Sequence, residues 1–324
     1  MRNHDWHGGD YPAAGDAWAH AADDVTATAL AALDPTGTSG AGTKTTTDAT
    51  GTTVTGATAA APATARVLDV GTGSGPAALA AARAGAHVVG LDLEPGLLRT
   101  AVSRARGLGP TDGTVRFVAG DARALPFPAG AFDLTLSTFG VMFAPEPART
   151  GAELVRVTRP GGLIAVASWT PGGVMGRIAP TVRRHLGPEP DGTPSPTDWG
   201  DPSRIRSWFA ELPVTVHTRV ERVRVRYPSL SHAVAAFENK PGPLRRHRTA
   251  LEAAHRWQHA RADLAALFAL HNRSADGDLV FDAVYLLLLA RVGIPSRTPP
   301  GPLTGRPDAV DRPAARAPRG STAH

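Results

Sequence analysis

The chain has no cysteine among its 324 residues, which excludes disulfides, thiolate metal ligands and thiol nucleophiles together. It also lacks any run of about 20 apolar residues, and its start, MRNHDWHGGDYP, has no apolar core of a secretory leader. A soluble cytoplasmic protein without a membrane span is the expectation. The twelve histidines form no H-x-x-x-H or comparable pair except His255 and His259. That pair is flanked by Arg256 and Arg261 and reads as a solvated face of one helix, so no metal site is expected.

Charge is present but unevenly spread. The net charge is +5 and the isoelectric point near 10.3, yet residues 1–65 hold two Lys/Arg against seven Asp/Glu. The basic excess is mostly scattered arginine; its one tight cluster is Arg245, Arg246, His247 and Arg248. Without interleaved aromatics that cluster reads as a solvated helix face, and nucleic acid is not an expected partner.

The pattern along the chain divides it into five segments. Residues 1–33 are an N-terminal helical segment, with the helix itself over Ala13 to Leu33. Residues 34–65 are almost all Thr, Gly and Ala and offer little to bury, so a disordered insertion is expected. Residues 66–170 alternate between short apolar runs and helical stretches: strands at Arg66 to Val70, His87 to Leu91, Val115 to Val118, Phe132 to Thr138 and Leu163 to Trp169, with helices at Ala77 to Ala84, Pro95 to Arg106 and Glu146 to Thr158. Residues 171–293 hold the remaining strands and a helical cap, and residues 294–324 form a Pro- and Arg-rich tail expected to be disordered.

Alternation with short loops implies parallel pairing and right-handed crossovers, hence a doubly wound, Rossmann-like α/β sheet. Two features of the fourth segment need resolution. In VTVHTRVERVRVRY, Val214 to Tyr227, the apolar positions shift from even to odd numbers, which predicts a bulge or break near Glu221. AVYLLLLARV, Ala283 to Val292, fits either a buried helix or the last strand.

The chemistry concentrates in VLDVGTGSGPAALAAARAG, Val67 to Gly85. Counting from Gly71, a dinucleotide fingerprint needs a glycine where Pro76 stands, and no Gly-Lys-Ser/Thr follows for a P-loop. The spacing is G-x-G-x-G at Gly71, Gly73 and Gly75, with Pro76 suited to a first helical position and Ser74 or Gly75 to the cap. Acids surround this turn: Asp69 before it, Asp92 at the end of the second strand and Asp121 beyond the third. Carboxylates without a basic residue in the loop suit a cationic, phosphate-free nucleoside better than a pyrophosphate.

VLDVGTGSG, GLDLEPGLL, VAGDARALPFPAGAFDLTLSTFGVMF and ELVRVTRPGGLIAVASW resemble the motifs of the class I S-adenosylmethionine-dependent methyltransferases, especially the group of ubiquinone/menaquinone C-methyltransferases. WHGGDY, PSPTDWGD and FENKPGPL are similar to outer segments of the same group. The resemblance implies a seven-stranded sheet, mostly parallel with an antiparallel last strand, in which 66–170 is the S-adenosylmethionine-binding core and 171–293 caps the substrate side. It implies that Gly71, Thr72, Gly73 and Gly75 pass close to the methionine part of the cofactor, with Asp69 orienting the loop and facing the ammonium. Asp92 would take the ribose hydroxyls with Leu93 beside the adenine, and Asp121 the adenine amino group with the Ala122 backbone on the ring. Ser137 would offer its carbonyl to the amino group, Thr138 and Phe139 would lie on the methyl-transfer side, and Tyr11 would close the pocket. Phe139, Met142 and Trp169 would border a small-molecule acceptor, quinol-like or otherwise aromatic.

No general base is assigned: His185, His232 and Asn239 qualify by position alone. Two other readings are a nicotinamide-dependent oxidoreductase, opposed by Pro76 and the missing phosphate clamp, and a non-catalytic cofactor- or nucleic-acid-binding protein, for which the Arg245 to Arg248 cluster speaks. An N/D-P-P-Y/F/W signature of amino-methyltransferases acting on nucleic acid is absent from STFGVMF.

Overall fold

The computed structural model describes residues 19–33, 42–47, 53–58, 65–187, 194–239 and 243–294. Tyr11, the first part of the expected N-terminal helix and residues 295–324 lie outside them. The elements run α1 (Ala19–Leu33), β1 (Gly42–Thr47), β2 (Thr53–Thr58), β3 (Arg66–Val70), α2 (Pro76–Arg83), β4 (His87–Asp92), α3 (Pro95–Ala105), β5 (Thr114–Ala119), β6 (Phe132–Thr138), α4 (Pro147–Val157), β7 (Thr158–Trp169), α5 (Val174–Arg183), α6 (Pro202–Phe209), β8 (Val214–Tyr227), α7 (Leu230–Asn239), α8 (Pro243–Arg246), α9 (Arg248–Ala253), α10 (Trp257–His271) and β9 (Leu279–Val292). Short 3-10 turns sit at Val141–Phe143 and Pro196–Gly200.

Seven strands form one sheet in the order β5-β4-β3-β6-β7-β9-β8. Pairing is parallel from β5 to β7, while β9 runs antiparallel to both β7 and β8. Chain direction across the sheet reverses between β3 and β6, and the crevice at such a switch point is where doubly wound folds bind ligands. Asp133 secures this centre, accepting from the Arg66 amide at 2.8 Å and from Arg159 Nε at 2.5 Å, so the first residues of β3, β6 and β7 are tied together.

Local sequence sets the helix starts. Pro76, Pro95, Pro147 and Pro202 each occupy the first turn of their helix, where a missing N–H costs nothing. Glu94 caps α3 by accepting from the Gly96 amide at 2.9 Å, and Asp201 caps α6 by accepting from Ser203 at 2.7 Å. One face of the sheet buries Val67, Leu134, Leu136 and Ala165 against Ala29 and Leu30 of α1 and the alanines of α2. A second, larger core includes Leu154 of α4, Ile205 and Phe209 of α6, and Phe268 of α10.

Three expectations change. The phase slip in β8 is real, but it is absorbed without a bulge: β8 pairs with β9 in one continuous register from Val214↔Val292 to Tyr227↔Leu279. Val214 and Val216 are covered on one face and Val223, Val225 and Tyr227 on the other, so each half of this edge strand packs a different face. Ala283 to Val292 resolves as strand, because β9 is buried between two neighbours on both faces, which suits a continuous apolar run.

His255 and His259 do not share a helix. α9 ends at Ala253, His255 has φ +54°, and only His259 lies in α10. Within 34–65, expected to be structureless, Gly42–Thr47 and Thr53–Thr58 pair as an antiparallel ribbon separate from the main sheet. Threonine is β-branched and favours extended backbone even with little to bury.

Candidate cofactor site

The glycine turn leaves β3 at the switch point and doubles back over the end of β4. Gly71, Gly73 and Gly75 have φ of +68°, +56° and +89°, the left-handed region that only glycine enters without strain. The Gly71 and Thr72 amides both donate to the Leu91 carbonyl, at 2.8 and 2.9 Å, tethering the turn to β4. A Cβ on Gly71 would stand 2.7 Å from Gly140 Cα, and one on Gly140 would stand 2.6 Å from the Gly71 carbonyl oxygen. The turn and the chain leaving β6 therefore touch backbone to backbone.

Asp69 is buried at the root of the turn. Its Oδ2 accepts from the Thr72 hydroxyl at 2.6 Å and from the Ala78 amide at 3.1 Å. Gly75 is the cap residue of α2 and has no side chain to cap with, so Asp69 satisfies a first-turn N–H from another element and places negative charge at a helix start. Ser74 instead accepts from Arg104 at 3.2 Å. Burial pushes the Asp69 carboxyl up to about 6 from 3.8, against the two hydrogen bonds.

A folded-state value above the unfolded one means that the native protein takes up a proton between these limits. The contribution is therefore fully present below about pH 4 and lost as pH rises through about 6. Relative to Asp69→Asn, wild type should lose on the order of 2–3 kcal/mol of stability between pH 4 and pH 7.5. Urea midpoints of the two proteins at both pH values measure this; a pH-independent difference would refute it.

Asp92 ends β4 and faces the turn. Its Oδ2 accepts from the Gly73 amide at 2.7 Å and its Oδ1 from the Glu94 amide at 2.9 Å. Burial raises its carboxyl above the ordinary range, opposed by these hydrogen bonds. A carboxylate offers about four acceptor sites, so these two hydrogen bonds leave acceptor capacity for hydroxyls. The neighbouring Leu93 is 62% exposed, an apolar side chain left beside an anchored acid.

Beyond β5, Asp121 opens a turn whose backbone bridges Asp121 to Ala124 and which carries Ala122. Arg123 holds Asp121 by a fork, with NH2 to Oδ2 at 2.6 Å, and keeps its carboxyl below the usual range. Ser137 at the end of β6 is buried; its hydroxyl donates to the Val70 carbonyl at 2.7 Å and accepts from the Val141 amide at 3.0 Å. Thr138 Oγ1 is buried with no hydrogen-bond partner.

Phe139 follows with φ +57°, strained for a residue with a Cβ. Its ring stacks on Trp169 at 3.7 Å and 8°, and meets Tyr285 edge-on at 5.6 Å. Met142 is buried close by in the 3-10 turn. The ends of β6 and β7 thus present stacked rings, backed by a tyrosine of β9 whose phenol burial pushes up to about 12.

Of the residues singled out in sequence, Asp69, Thr72, Gly73, Gly75, Asp92 and Leu93 gather at the ends of β3 and β4, Asp121 and Ala122 follow β5, and Ser137, Thr138, Phe139, Met142 and Trp169 stand at the ends of β6 and β7. His185 and His232 are engaged elsewhere, with Asp263 at 2.5 Å and with Ser229 at 2.7 Å. Sequence reading missed Gly140, Arg123 and Tyr285. For Gly140 a signal existed: a second glycine directly after a strand end. Among the described residues no group of three or more His, Asp or Glu is arranged to hold a metal, and no helix is long and apolar enough to cross a membrane.

The family model described as "Methyltransferase domain" matches residues 68–166. An uncharacterized protein of Mycobacterium tuberculosis (strain H37Rv) is 42% identical over 167 residues, 51% of this chain and 60% of that protein. The chain thus spans about three fifths of the length of this curated relative. A demethylmenaquinone methyltransferase of Renibacterium salmoninarum is 39% identical over 89 residues, 28% of this chain and 35% of that enzyme. The solved structure of a putative methyltransferase from Bacillus halodurans aligns with a TM-score of 0.49 at 18% identity, over 72% of this chain and 94% of that one. Over residues 68–166, which include the glycine turn, the chain is similar to the methyltransferase-domain family.

Proposed function

We propose that this protein transfers the methyl group of S-adenosylmethionine to a small aromatic acceptor of quinol or phenol type. The observation that carries the reading is the anchored Asp92: a carboxylate at the end of β4 fixed by the Gly73 and Glu94 amides against the glycine turn, with exposed Leu93 beside it. That pair suits a ribose diol and an apolar base face. The left-handed backbone of Gly71 and Gly73 leaves no side chain between the turn and a ligand, and no basic residue stands in the turn to favour a phosphate.

When bound, the cofactor supplies an electrophilic methyl on a positive sulfur. The chain's own part is positioning: an in-line displacement needs little covalent help, and holding the acceptor atom at about 3–3.5 Å in line accounts for much of the acceleration. The Phe139 and Trp169 rings form an apolar wall that excludes water from a step dispersing positive charge. The relatives named as a demethylmenaquinone methyltransferase and as a 2-methyl-6-phytyl-1,4-hydroquinone methyltransferase support a quinone- or hydroquinone-type ring acceptor.

Transfer of tritium from methyl-labelled S-adenosylmethionine to a panel of quinols, phenols and aliphatic amines tests the proposal. Label is expected in one or more ring acceptors and not in the amines. Failure to bind S-adenosylhomocysteine would sink the cofactor reading; labelling of amines alone would sink the acceptor class.

A further inference from the structure

The segment between β5 and β6 carries the expected base-contacting residues yet contains no helix or strand of its own. Two arginine networks fasten it to α4. Arg156 donates to the carbonyls of Phe127 at 2.7 Å and Leu125 at 2.9 Å and pairs with Glu153, whose other oxygen accepts from the Leu125 amide at 2.7 Å. The second network centres on Arg123. Its amide and Nε donate to Asp121 Oδ1 at 2.8 and 3.0 Å, Nε also reaches Oδ2 at 3.1 Å, NH2 donates to Oδ2 at 2.6 Å, and NH1 donates to Glu146 at 2.7 Å.

A carboxylate offers about four lone-pair sites. Arg123 brings three N–H groups to these sites: its amide to Oδ1, NH2 to Oδ2, and Nε shared between the two oxygens. The Asp121 side chain is still partly exposed, so what remains open is a single acceptor site of fixed direction. Glu146, at the cap of α4, holds the far side of the guanidinium, which prevents the fork from rotating away from Asp121.

We propose that Arg123 is the positioning residue that makes the nucleoside pocket selective for a 6-amino purine: its fork turns the Asp121 carboxylate so that one Oδ2 site is left for the exocyclic amine. The inference rests on the reading of the crevice as a pocket for an adenosyl cofactor. An acceptor-only group in that position favours an N–H donor and rejects a carbonyl, because two acceptors would face each other. Charge-assisted geometry of this kind belongs to arginine and is not reproduced by lysine, which has no planar fork.

The test is the ratio of affinities for S-adenosylhomocysteine and S-inosylhomocysteine, in which the amine is replaced by a carbonyl, measured calorimetrically on the full chain. Wild type is expected to prefer the amino base by about tenfold or more, and Arg123→Ala to lower that ratio to about threefold or less. Arg149→Ala serves as the control: Arg149 donates to the Arg123 carbonyl at 2.9 Å and touches Glu146 but not Asp121, so it loosens the same loop and should leave the ratio intact. Should the alanine variant not fold, Arg123→Lys is expected to lower the ratio as well.

An unchanged ratio in a folded Arg123 variant, or an equal loss in Arg149→Ala, overturns the proposal while leaving the pocket reading standing. Wild type binding neither nucleoside overturns both.

Discussion

Replacing Gly71 by alanine is expected to destabilise the protein by about 3 kcal/mol or more, with Gly85→Ala costing no more than about half as much. Both positions have positive φ, +68° and +98°, and alanine there carries a strain of about 1–2 kcal/mol. They differ in surroundings. A Cβ on Gly85 meets nothing within 4 Å, whereas one on Gly71 falls 2.7 Å from Gly140 Cα and 3.0 Å from Gly140 C. Those atoms are backbone and cannot rotate aside, so overpacking adds about 1–3 kcal/mol.

Urea midpoints at constant slope give the comparison directly. Equal costs at the two positions would show that the close approach of the turn to the β6 exit does not hold the fold. The consequence reaches the site as well. Pushing Gly140 away from the turn moves Phe139, which already sits at φ +57°, and unstacks it from Trp169. Such strain persists only where neighbours over-determine the backbone, and the Gly71–Gly140 contact is the neighbour that does so here.

How much of this was legible beforehand depends on whether a feature is local. The glycine spacing, the prolines opening α2 and α3, and the strand runs from Arg66 to Trp169 are written in consecutive residues, and the sheet follows from their alternation. The positions of Asp92 and Asp121 at neighbouring strand ends follow from the same alternation, because parallel strands present their carboxyl ends on one edge.

Features made by distant pairs were not legible. The capping of α2 comes from Asp69, nine residues before the amide it accepts from, and not from the Ser74 or Gly75 that local rules favour. Nor does sequence distinguish Arg123 from the other scattered arginines, since its partner Glu146 lies 23 residues on. In β8 the phase slip is visible in the sequence, but its remedy depends on which elements cover each half of the strand, and a period-2 pattern carries no information about the two faces separately. His255 fails for a simpler reason: the two helical stretches are separated by only three residues, Ala254 to Arg256, one of them left-handed, and so short a break is hard to see in periodicity.

Asp92→Asn is expected to weaken S-adenosylhomocysteine binding by about 100-fold or more while changing stability by about 1 kcal/mol or less. The asparagine has the shape of the aspartate but only one acceptor oxygen. In wild type both oxygens face donors, the Gly73 amide and the Glu94 amide, and both are the proposed acceptors of the ribose hydroxyls. The amide nitrogen must therefore face an N–H or a hydroxyl, and the hydrogen bonds lost are charge-assisted, worth about 1.5–3 kcal/mol each. Two such bonds correspond to a factor of about 100 or more.

Stability behaves differently because burial already raises the Asp92 carboxyl above its ordinary range. The fold therefore disfavours the charge that the ligand needs, and a neutral amide relieves that penalty as it loses the backbone bonds. The same reasoning gives a pH test. Ribose hydroxyls donate to the ionised carboxylate, so wild-type affinity should fall as pH drops through the raised value. Asp92→Asn, which has no carboxylate to protonate there, should show a shallower fall. Calorimetry of both proteins between pH 5 and pH 8 decides the matter: wild-type affinity in the variant would mean that Asp92 anchors the turn without reading the ribose.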